Sequence, residues 1–291
     1  MHNIEVKNLT KRYKNGVIAL DNVSFQAGGG VFGLLGHNGA GKSTLMKALV
    51  TILKPTGGFV RVCGYDTQTQ GEQVRRLIGY LPQELAMYPS LSVYEFVKYM
   101  AELKGIYDKA AVENALRQVE MTDFSDRRIG QLSGGMKRRA GIAQALVGEP
   151  EILVVDEPTA GLDPEERVRF RSILSRYARE GKTVLLSTHI VEDVRQICRE
   201  LAVLRNGHLF YAGTSDGLLN RVEGKVKILY LEKEEQIVEL QKQAVILSVL
   251  YEGSGLAARI VDEHGGFSQT SAVAATLEDA YVYCMGGKIN A

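Results

Sequence analysis

The feature that most constrains this chain is a glycine-rich segment between an apolar run and a helical pattern. Val31 to Leu35 is apolar without alternation, which is typical of a strand buried on both faces. The next segment, Gly36 to Ser43, reads Gly-His-Asn-Gly-Ala-Gly-Lys-Ser. Ser43 to Leu53 then has helical spacing. A buried strand, a loop of this pattern and a helix together predict a phosphate-binding loop, or P-loop.

The fixed positions of this loop each have a physical role. Gly39 and Gly41 can take positive φ, so that successive backbone N–H groups point towards one anion. The helix that follows directs its positive dipole end to the same place. Lys42 supplies a cation for the β- and γ-phosphates, and Ser43 supplies a hydroxyl for Mg²⁺. The sequence therefore predicts an ATP site that uses magnesium.

Two more apolar runs lead into residues suited to phosphate chemistry. Ile152 to Val155 predicts a central strand, and Asp156 at its end could hold Mg²⁺ through water. Glu157 is placed to orient and polarise an attacking water as a general base. Thr183 to Ser187 predicts a third buried strand. His189, close after it, could bind the γ-phosphate and hold the water or Glu157. Because parallel strands open their carboxyl ends on one sheet edge, we expect these residues beside the P-loop and predict ATP hydrolysis.

A second anion site is predicted where Ser133, Gly134 and Gly135 open a helical segment. One chain then carries two phosphate cradles but only one Asp-Glu pair. One explanation is that the second cradle serves the nucleotide of a second molecule.

The organisation of the chain predicts a larger and a smaller domain. Strands alternate with helices in the first part, which indicates an α/β fold with a mostly parallel sheet. The pattern changes near Val222, and we place a domain boundary there, between residues 1–220 and a C-terminal accessory α+β domain, 221–291. No run approaches the roughly 20 apolar residues of a membrane helix. We therefore expect a soluble chain that acts on a membrane only through a partner.

Charge and cysteine usage exclude some classes. The 291 residues carry a formal net charge of +1, which gives no electrostatic reason to expect nucleic acid as the main partner. Three separated cysteines, without a Cys-x-x-Cys pair, suggest neither a zinc site nor a disulfide framework.

These motifs resemble those of the ATP-binding subunit of an ABC (ATP-binding cassette) transporter, over about residues 1 to 220. Gly36 to Thr44 is similar to the Walker A loop, Leu132 to Met136 to the LSGGQ signature, and Ile152 to Glu157 to Walker B. His189 is similar to the switch histidine. The signature ends in Met136 where the family usually has Gln, which leaves the Ser-Gly-Gly cradle intact.

The resemblance implies roles that the spacing alone does not give. Gln83 would be the Q-loop glutamine, which ligates Mg²⁺ and senses the membrane subunit. Asp163 would belong to the D-loop, and Tyr13 would stack on adenine. The implied catalytic residues are Lys42, Glu157 and His189, and the implied metal ligands are Ser43, Gln83 and Asp156. The implied nucleotide-binding residues are Tyr13, Gly36, His37, Asn38, Gly39, Ala40, Gly41, Lys42, Ser43, Thr44, Gln83, Ser133, Gly134, Gly135 and Asp163.

The implied fold is a P-loop NTPase with a mixed sheet, an antiparallel β subdomain and a small α-helical subdomain at about 84–148. Two subunits, identical or related, would face head to tail with ATP between them. An integral membrane permease would dock at about Glu84 to Leu91, where Met87 and Tyr88 are expected to be exposed. The protein would then be cytoplasmic and peripheral on the inner face of the membrane. Thr276 to Tyr281 resembles the closing segment of subunits paired with exporters.

Two other functions remain open at this point. The chain could be a soluble ABC ATPase that works on ribosomes or DNA, although it has one cassette and no long coiled-coil insertion. It could also be an ATP-driven dimer switch that regulates a partner without transport.

Overall fold

The structure is a computed structural model that describes residues 3–252, 255–263, 265–267 and 270–286. The chain divides into two compact units, residues 1–212 and 213–291. The strands are β1 (Ile4–Arg12), β2 (Ile18–Ala27), β3 (Gly30–Leu35), β4 (Gly57–Val62), β5 (Tyr65–Asp66), β6 (Ile78–Leu81), β7 (Ile152–Asp156), β8 (Thr183–Thr188), β9 (Glu200–Arg205), β10 (His208–Thr214), β11 (Val226–Leu231), β12 (Val245–Glu252), β13 (Gly255–Val261) and β14 (Thr270–Ala272).

Helices occur in both units of the chain. They are α1 (Lys42–Leu49), α2 (Gly71–Leu77), α3 (Val93–Leu103), α4 (Lys109–Gln118), α5 (Gly134–Leu146), α6 (Pro164–Arg179), α7 (Val191–Ile197), α8 (Ser215–Leu219), α9 (Glu235–Gln243) and α10 (Leu277–Cys284). Short 3-10 helices lie at Thr122–Phe124 and Ile129–Gln131. None of the helices within the described residues combines the length and hydropathy that crossing a bilayer requires.

A six-stranded sheet of order β10-β9-β3-β8-β7-β6 is the centre of the first unit. Strands β9, β3, β8, β7 and β6 run parallel, as the apolar runs without alternation predict. Thr188 pairs with Leu35, and Ser187 pairs with Asp156, so β3, β7 and β8 end at one edge. This register brings the chain that follows each of these strands to the same side of the sheet.

A four-stranded antiparallel sheet of order β2-β1-β4-β5 packs with α1 into the same core as β3. Its strands alternate buried and exposed residues, since only one face meets the core. The rings of Phe25 on β2 and Phe32 on β3 stack with centroids 5.4 Å apart. The burial of such a side chain contributes about 1.5–3 kcal/mol. The antiparallel subdomain of the predicted fold class is confirmed.

Helix α1 ends earlier than the sequence predicts. The helical spacing extends to Leu53, but the last helical residue is Leu49. Thr51 takes a left-handed conformation with φ 67, and the N–H groups of Ile52 and Leu53 both turn back to the carbonyl of Lys47. This turn ends the helix before Pro55 is reached.

The chain that connects β6 to β7 forms a small helical layer, in which α3, α4 and α5 pack against one another. Helix α3 begins with a capping box, in which Ser92 and Glu95 satisfy each other's backbone N–H groups. Helix α4 begins at an Asp108 cap that accepts from Ala110. The layer leads through the two 3-10 helices to the cap of α5 at Ser133.

The second unit is α+β, with an antiparallel sheet of order β12-β13-β11-β14. Leu240 of α9 packs with Leu231, Ile246 and Ile260 in its apolar cluster. The unit begins at Gly213, ahead of the sequence-based boundary near residue 221, because α8 packs against α10. The domain limits given by the sequence stay a prediction.

Candidate active site at the P-loop

The P-loop lies between the end of β3 and the start of α1. Gly39 and Gly41 have φ of 83 and 105, the left-handed region that the sequence predicts for them. A Cβ on Gly41 would lie 2.5 Å from the carbonyl oxygen of Ala19, and one on Gly36 would lie 2.6 Å from that of Leu204. Both positions therefore require glycine on steric grounds.

The loop borders a cleft of about 290 Å³. Most of the predicted nucleotide-binding residues line it, together with Ala19 and Glu157. The predicted residues in its wall are His37, Asn38, Gly39, Gly41, Lys42, Ser43, Thr44 and Gln83. The cleft is thus framed by backbone amides, one cation and polar side chains.

Lys42 lies at the base of this cleft with a buried side chain. Its Nζ donates to the carbonyl oxygens of Gly36 at 2.6 Å and His37 at 3.1 Å. It also lies 3.0 Å from Oε1 of Glu157. The cation is therefore held between the loop and the residue that the sequence predicts as general base.

Glu157 is the point at which the predicted catalytic residues meet. Its Oε2 lies 3.3 Å from Nδ1 of His189 and 3.5 Å from Nε2 of Gln83. The Glu157 side chain is 7% exposed, whereas that of His189 is 42% exposed. The carboxylate thus contacts Lys42, Gln83 and His189 at the wall of the cleft.

The backbone of Glu157 is strained, and Ser187 holds it. Glu157 has φ 45, a conformation that costs a residue with a side chain of order 1–3 kcal/mol. Its N–H points to Oγ of Ser187 at 3.0 Å and to the carbonyl oxygen of Ser187 at 3.2 Å. Ser187 was not predicted as a site residue, because its only signal in the sequence is its place next to Thr188 and His189 at a strand end.

Asp156 is buried at the end of β7 and accepts a hydrogen bond from Oγ of Ser187 at 2.5 Å. Burial, together with the negative charge of Asp156, raises the pKa of Tyr80 to about 12. Ser187 therefore contacts both acidic residues. Its hydroxyl donates to the Asp156 carboxylate, and the backbone N–H of Glu157 points to the hydroxyl and carbonyl oxygens of Ser187.

The oxygen donors around the cleft fit a magnesium ion. Ser43 offers a hydroxyl, Asp156 a carboxylate and Gln83 an amide oxygen, which are the hard ligands that Mg²⁺ prefers. Within the described ranges no three His, Cys, Asp or Glu residues form a metal-binding group. A magnesium ion here would take its other ligands from phosphate and water, as Mg²⁺ commonly does.

The second cradle is built at the start of α5, and α6 supports it. Oγ of Ser133 accepts from the N–H of Met136 at 3.2 Å. A Cβ on Gly135 would lie 2.6 Å from Cγ of Glu166, while Gly134 faces open space. Nε of the buried Arg139 lies 3.3 Å from Glu166. Among the described hydrogen bonds, none joins Ser133 or the two glycines to the P-loop of the same chain.

Arg138, which the sequence does not single out, connects α5 to the segment of Gln83. Its Nη1 donates to the carbonyl oxygen of Gln83 at 2.6 Å. Nε2 of Gln144 on the same helix donates to the carbonyl oxygen of Tyr80 at 2.9 Å. The start of α5 and the Gln83 backbone are therefore directly linked.

Asp163 and Tyr13 lie outside the wall of the cleft, and their roles stay predictions. Asp163 caps α6 by accepting from the N–H of Glu166 at 2.8 Å. Tyr13 is 38% exposed, and Nζ of Lys11 lies 5.4 Å from its ring centroid. Tyr13 lies in the loop that joins β1 to β2, and Ala19 of β2 lines the cleft.

The segment predicted to dock a membrane subunit borders a groove of about 470 Å³. Tyr88 is 53% exposed, as predicted, and its ring meets Tyr99 edge-on at 5.8 Å. Met87 is half-buried rather than exposed, because it lines this groove. Other residues of the groove are Gln83, Leu85, Pro89, Ile129 and Lys137.

Comparison with known proteins agrees with this geometry. The family model described as ABC transporter matches residues 20–160. The ABC transporter ATP-binding protein NatA of Bacillus subtilis (strain 168) is 36% identical over 194 residues, which are 65% of this chain and 79% of the relative. The Nod factor export ATP-binding protein I of Burkholderia pseudomallei (strain 1710b) is 38% identical over 218 residues, 72% of this chain and 70% of the relative.

Solved structures give the same result. The solved structure of an ATP binding subunit of an ABC transporter superposes with a TM-score of 0.67 at 29% identity, over 75% of this chain and 92% of that one. A dimeric bacterial ABC transporter cassette gives a TM-score of 0.66 at 29% identity, with 72% and 98% covered.

Fold and site together define a P-loop ATPase. Within that class, the chain belongs to the ATP-binding proteins of ABC transporters. The resemblance drawn from the sequence motifs is confirmed, as is the predicted fold class.

Proposed function

We propose that this chain binds and hydrolyses ATP to power export across a membrane through a separate transmembrane subunit. The observation that carries the proposal is the contact of Glu157 with Lys42, Gln83 and His189 beside the P-loop. A base, a cation and a hydrogen-bonding imidazole then surround the position of a terminal phosphate. The direction of transport is inferred from relatives, one of which is named as a Nod factor exporter.

In this proposal the chain's own groups divide the work of hydrolysis. The P-loop amides and Lys42 hold the β- and γ-phosphates. Glu157 takes the proton of the attacking water as general base, and His189 holds Glu157 and the γ-phosphate in position. Ser43, Gln83 and Asp156 would hold Mg²⁺, which neutralises phosphate charge when bound. Positioning and electrostatics supply most of the rate in such transfers.

The second cradle argues for a site completed by another subunit. Ser133, Gly134 and Gly135 form a helix N-terminus suited to phosphate, and Gly134 faces open space. The ATP would lie between the P-loop of one subunit and this cradle of a second ATPase subunit, a copy of this chain or a related one. Asp163 would lie at the same interface, and Tyr13 would stack on the adenine.

A membrane permease would dock on the groove beside Tyr88. Leu85, Met87 and Pro89 give the groove an apolar wall, and Arg138 ties it to the backbone of Gln83. Docking there would reach the nucleotide cleft through Gln83. The chain would then work on the cytoplasmic, inner face of the membrane.

The composite site is tested by replacing a residue that does not line the cleft at the P-loop of the same chain. Ser133→Arg puts a long side chain in the second cradle and should leave the affinity for ATP unchanged while ATP turnover is lost. Calorimetry and phosphate release measure the two effects. Thr122→Arg, at an exposed position in the same helical layer, is the matched control. Turnover at the wild-type rate in Ser133→Arg would contradict the shared site.

A further inference from the structure

A buried hydrogen-bonded chain links the segments that follow Glu157 and His189. Asp193 on α7 is 0% exposed. Its Oδ2 accepts from Oγ1 of Thr159 at 2.6 Å, and its Oδ1 lies 3.1 Å from Nη1 of Arg171 on α6. We call Thr159, Asp193 and Arg171 the Asp193 chain. None of the three lines the described nucleotide cleft.

One end of the chain holds the segment that leaves the catalytic carboxylate. Thr159 is 2% exposed and lies two positions after Glu157. Its carbonyl oxygen accepts from the N–H of Leu162 at 3.2 Å, within the Gly161-Leu162-Asp163 segment. The Thr159 hydroxyl therefore ties this segment to α7.

The backbone of Asp193, rather than its carboxylate, contacts the turn that carries His189. The N–H of Asp193 donates to the carbonyl oxygen of Ile190 at 3.2 Å. The N–H of Ile190 donates to Oγ1 of Thr188 at 2.9 Å. His189 thus lies in a turn fixed on one side by β8 and on the other by Asp193.

The chemistry of the Asp193 chain indicates that the Asp193 carboxylate serves to orient its neighbours rather than to fill the core. A carboxylate is strongly disfavoured in the interior unless it is paired and hydrogen-bonded. Apolar residues of similar volume often stabilise a core as well as a buried ion pair does. What Asp193 adds is two directional contacts, one to each neighbouring segment.

We propose that Asp193 is a positioning residue for ATP hydrolysis. Through Thr159 and Arg171 it keeps the carboxylate of Glu157 and the imidazole of His189 at their 3.3 Å separation. The inference rests on the proposed function, because that function assigns hydrolysis to these two side chains. It matters because the strained φ of 45 at Glu157 persists only where the surrounding structure holds it.

The first test removes one hydrogen bond and keeps the volume. Thr159→Val deletes the hydroxyl that binds Asp193, and we expect kcat to fall by on the order of 10- to 100-fold, the cost of a small displacement at a reacting centre. The affinity for ATP should not change, because the P-loop is untouched. Thr159→Ser keeps the hydroxyl and should keep kcat, which separates the hydrogen bond from the fold.

The second test changes the charge on α7. Asp193→Asn should lower kcat as Thr159→Val does. Glu192→Gln, the neighbouring acidic position, is the matched control, because its side chain is 51% exposed and pairs locally with Arg195. The control should keep the wild-type kcat. Equal kcat values for Asp193→Asn and the control would overturn the inference.

A double-mutant cycle distinguishes positioning from general stability. In a His189→Ala background, Thr159→Val should lower kcat by a much smaller factor than it does in the wild type. The two effects are then coupled, because both substitutions disturb the same placement of His189 against Glu157. A full multiplicative loss would mean an independent structural effect and would overturn the inference. A wild-type kcat in His189→Ala alone would instead refute the role of His189 in the proposed function.

Discussion

Replacement of Lys42 by methionine tests two properties of the site, the stability of the free protein and the affinity for ATP. Met keeps most of the length of the side chain but removes the charge and three contacts, to Gly36, His37 and Glu157. The free protein loses the cation beside a carboxylate whose side chain is 7% exposed. The nucleotide complex loses a charge-assisted bond to phosphate.

The two losses have different sizes. Removing one partner of a buried ion pair costs about 3–5 kcal/mol, and we expect the lower end, since His189 and Gln83 still contact Glu157. A hydrogen bond to a charged group contributes about 1.5–3 kcal/mol, which corresponds to about a tenfold to hundredfold weaker affinity for ATP.

Urea unfolding of the free protein and titration calorimetry with ATP and Mg²⁺ measure the two losses. The double variant Lys42→Met/Glu157→Gln leaves no unpaired charge, so its free energy of unfolding should recover while its affinity for ATP stays low. A stability deficit that persists in the double variant would mean that Lys42 acts by packing. An unchanged affinity for ATP in Lys42→Met would refute its role in phosphate binding.

Two further predictions follow from other parts of the structure. Gly41→Ala should abolish nucleotide binding in a fluorescence titration, because its Cβ would lie 2.5 Å from the Ala19 oxygen at φ 105. Gly39→Ala, with no atom within 4 Å, should be milder, and equal effects would contradict the steric argument. In the second unit, burial alone would raise the pKa of Asp279, but hydrogen bonds from Arg259 and Thr276 outweigh it and hold that pKa below its ordinary value. The stabilisation is therefore present at neutral pH and is lost as the pH falls below about 4. Asp279→Asn should lower the free energy of unfolding by about 1–3 kcal/mol at pH 7 and should flatten its acid dependence, and a wild-type dependence would refute this.

The sequence predicted the elements whose pattern is local. Val31 to Leu35, Ile152 to Val155 and Thr183 to Ser187 were expected as buried strands and are confirmed as the core of β3, β7 and β8. Their apolar runs, and the P-loop after the first of them, depend only on neighbours in the chain. Parallel pairing then follows from the alternation of strands and helices.

Other features depend on register, which the sequence does not show. Strand β6 has only four residues, Ile78–Leu81, and gave no separate signal. Ser187 matters because it pairs with Asp156 across β7 and β8. Asp193 lies in a charged stretch that resembles a solvated helix face, yet α6 and the Thr159 segment bury it.

The most direct test of ATP hydrolysis at this site is turnover by Glu157→Gln. The amide keeps the shape of the side chain but cannot act as a base, so the variant should bind ATP, release no phosphate and accumulate as an ATP-bound dimer. Glu165→Gln is the matched control, because the Glu165 side chain is 84% exposed at the start of α6. We expect wild-type phosphate release for the control and none for Glu157→Gln. Phosphate release by Glu157→Gln near the wild-type rate would show that Glu157 is not the base.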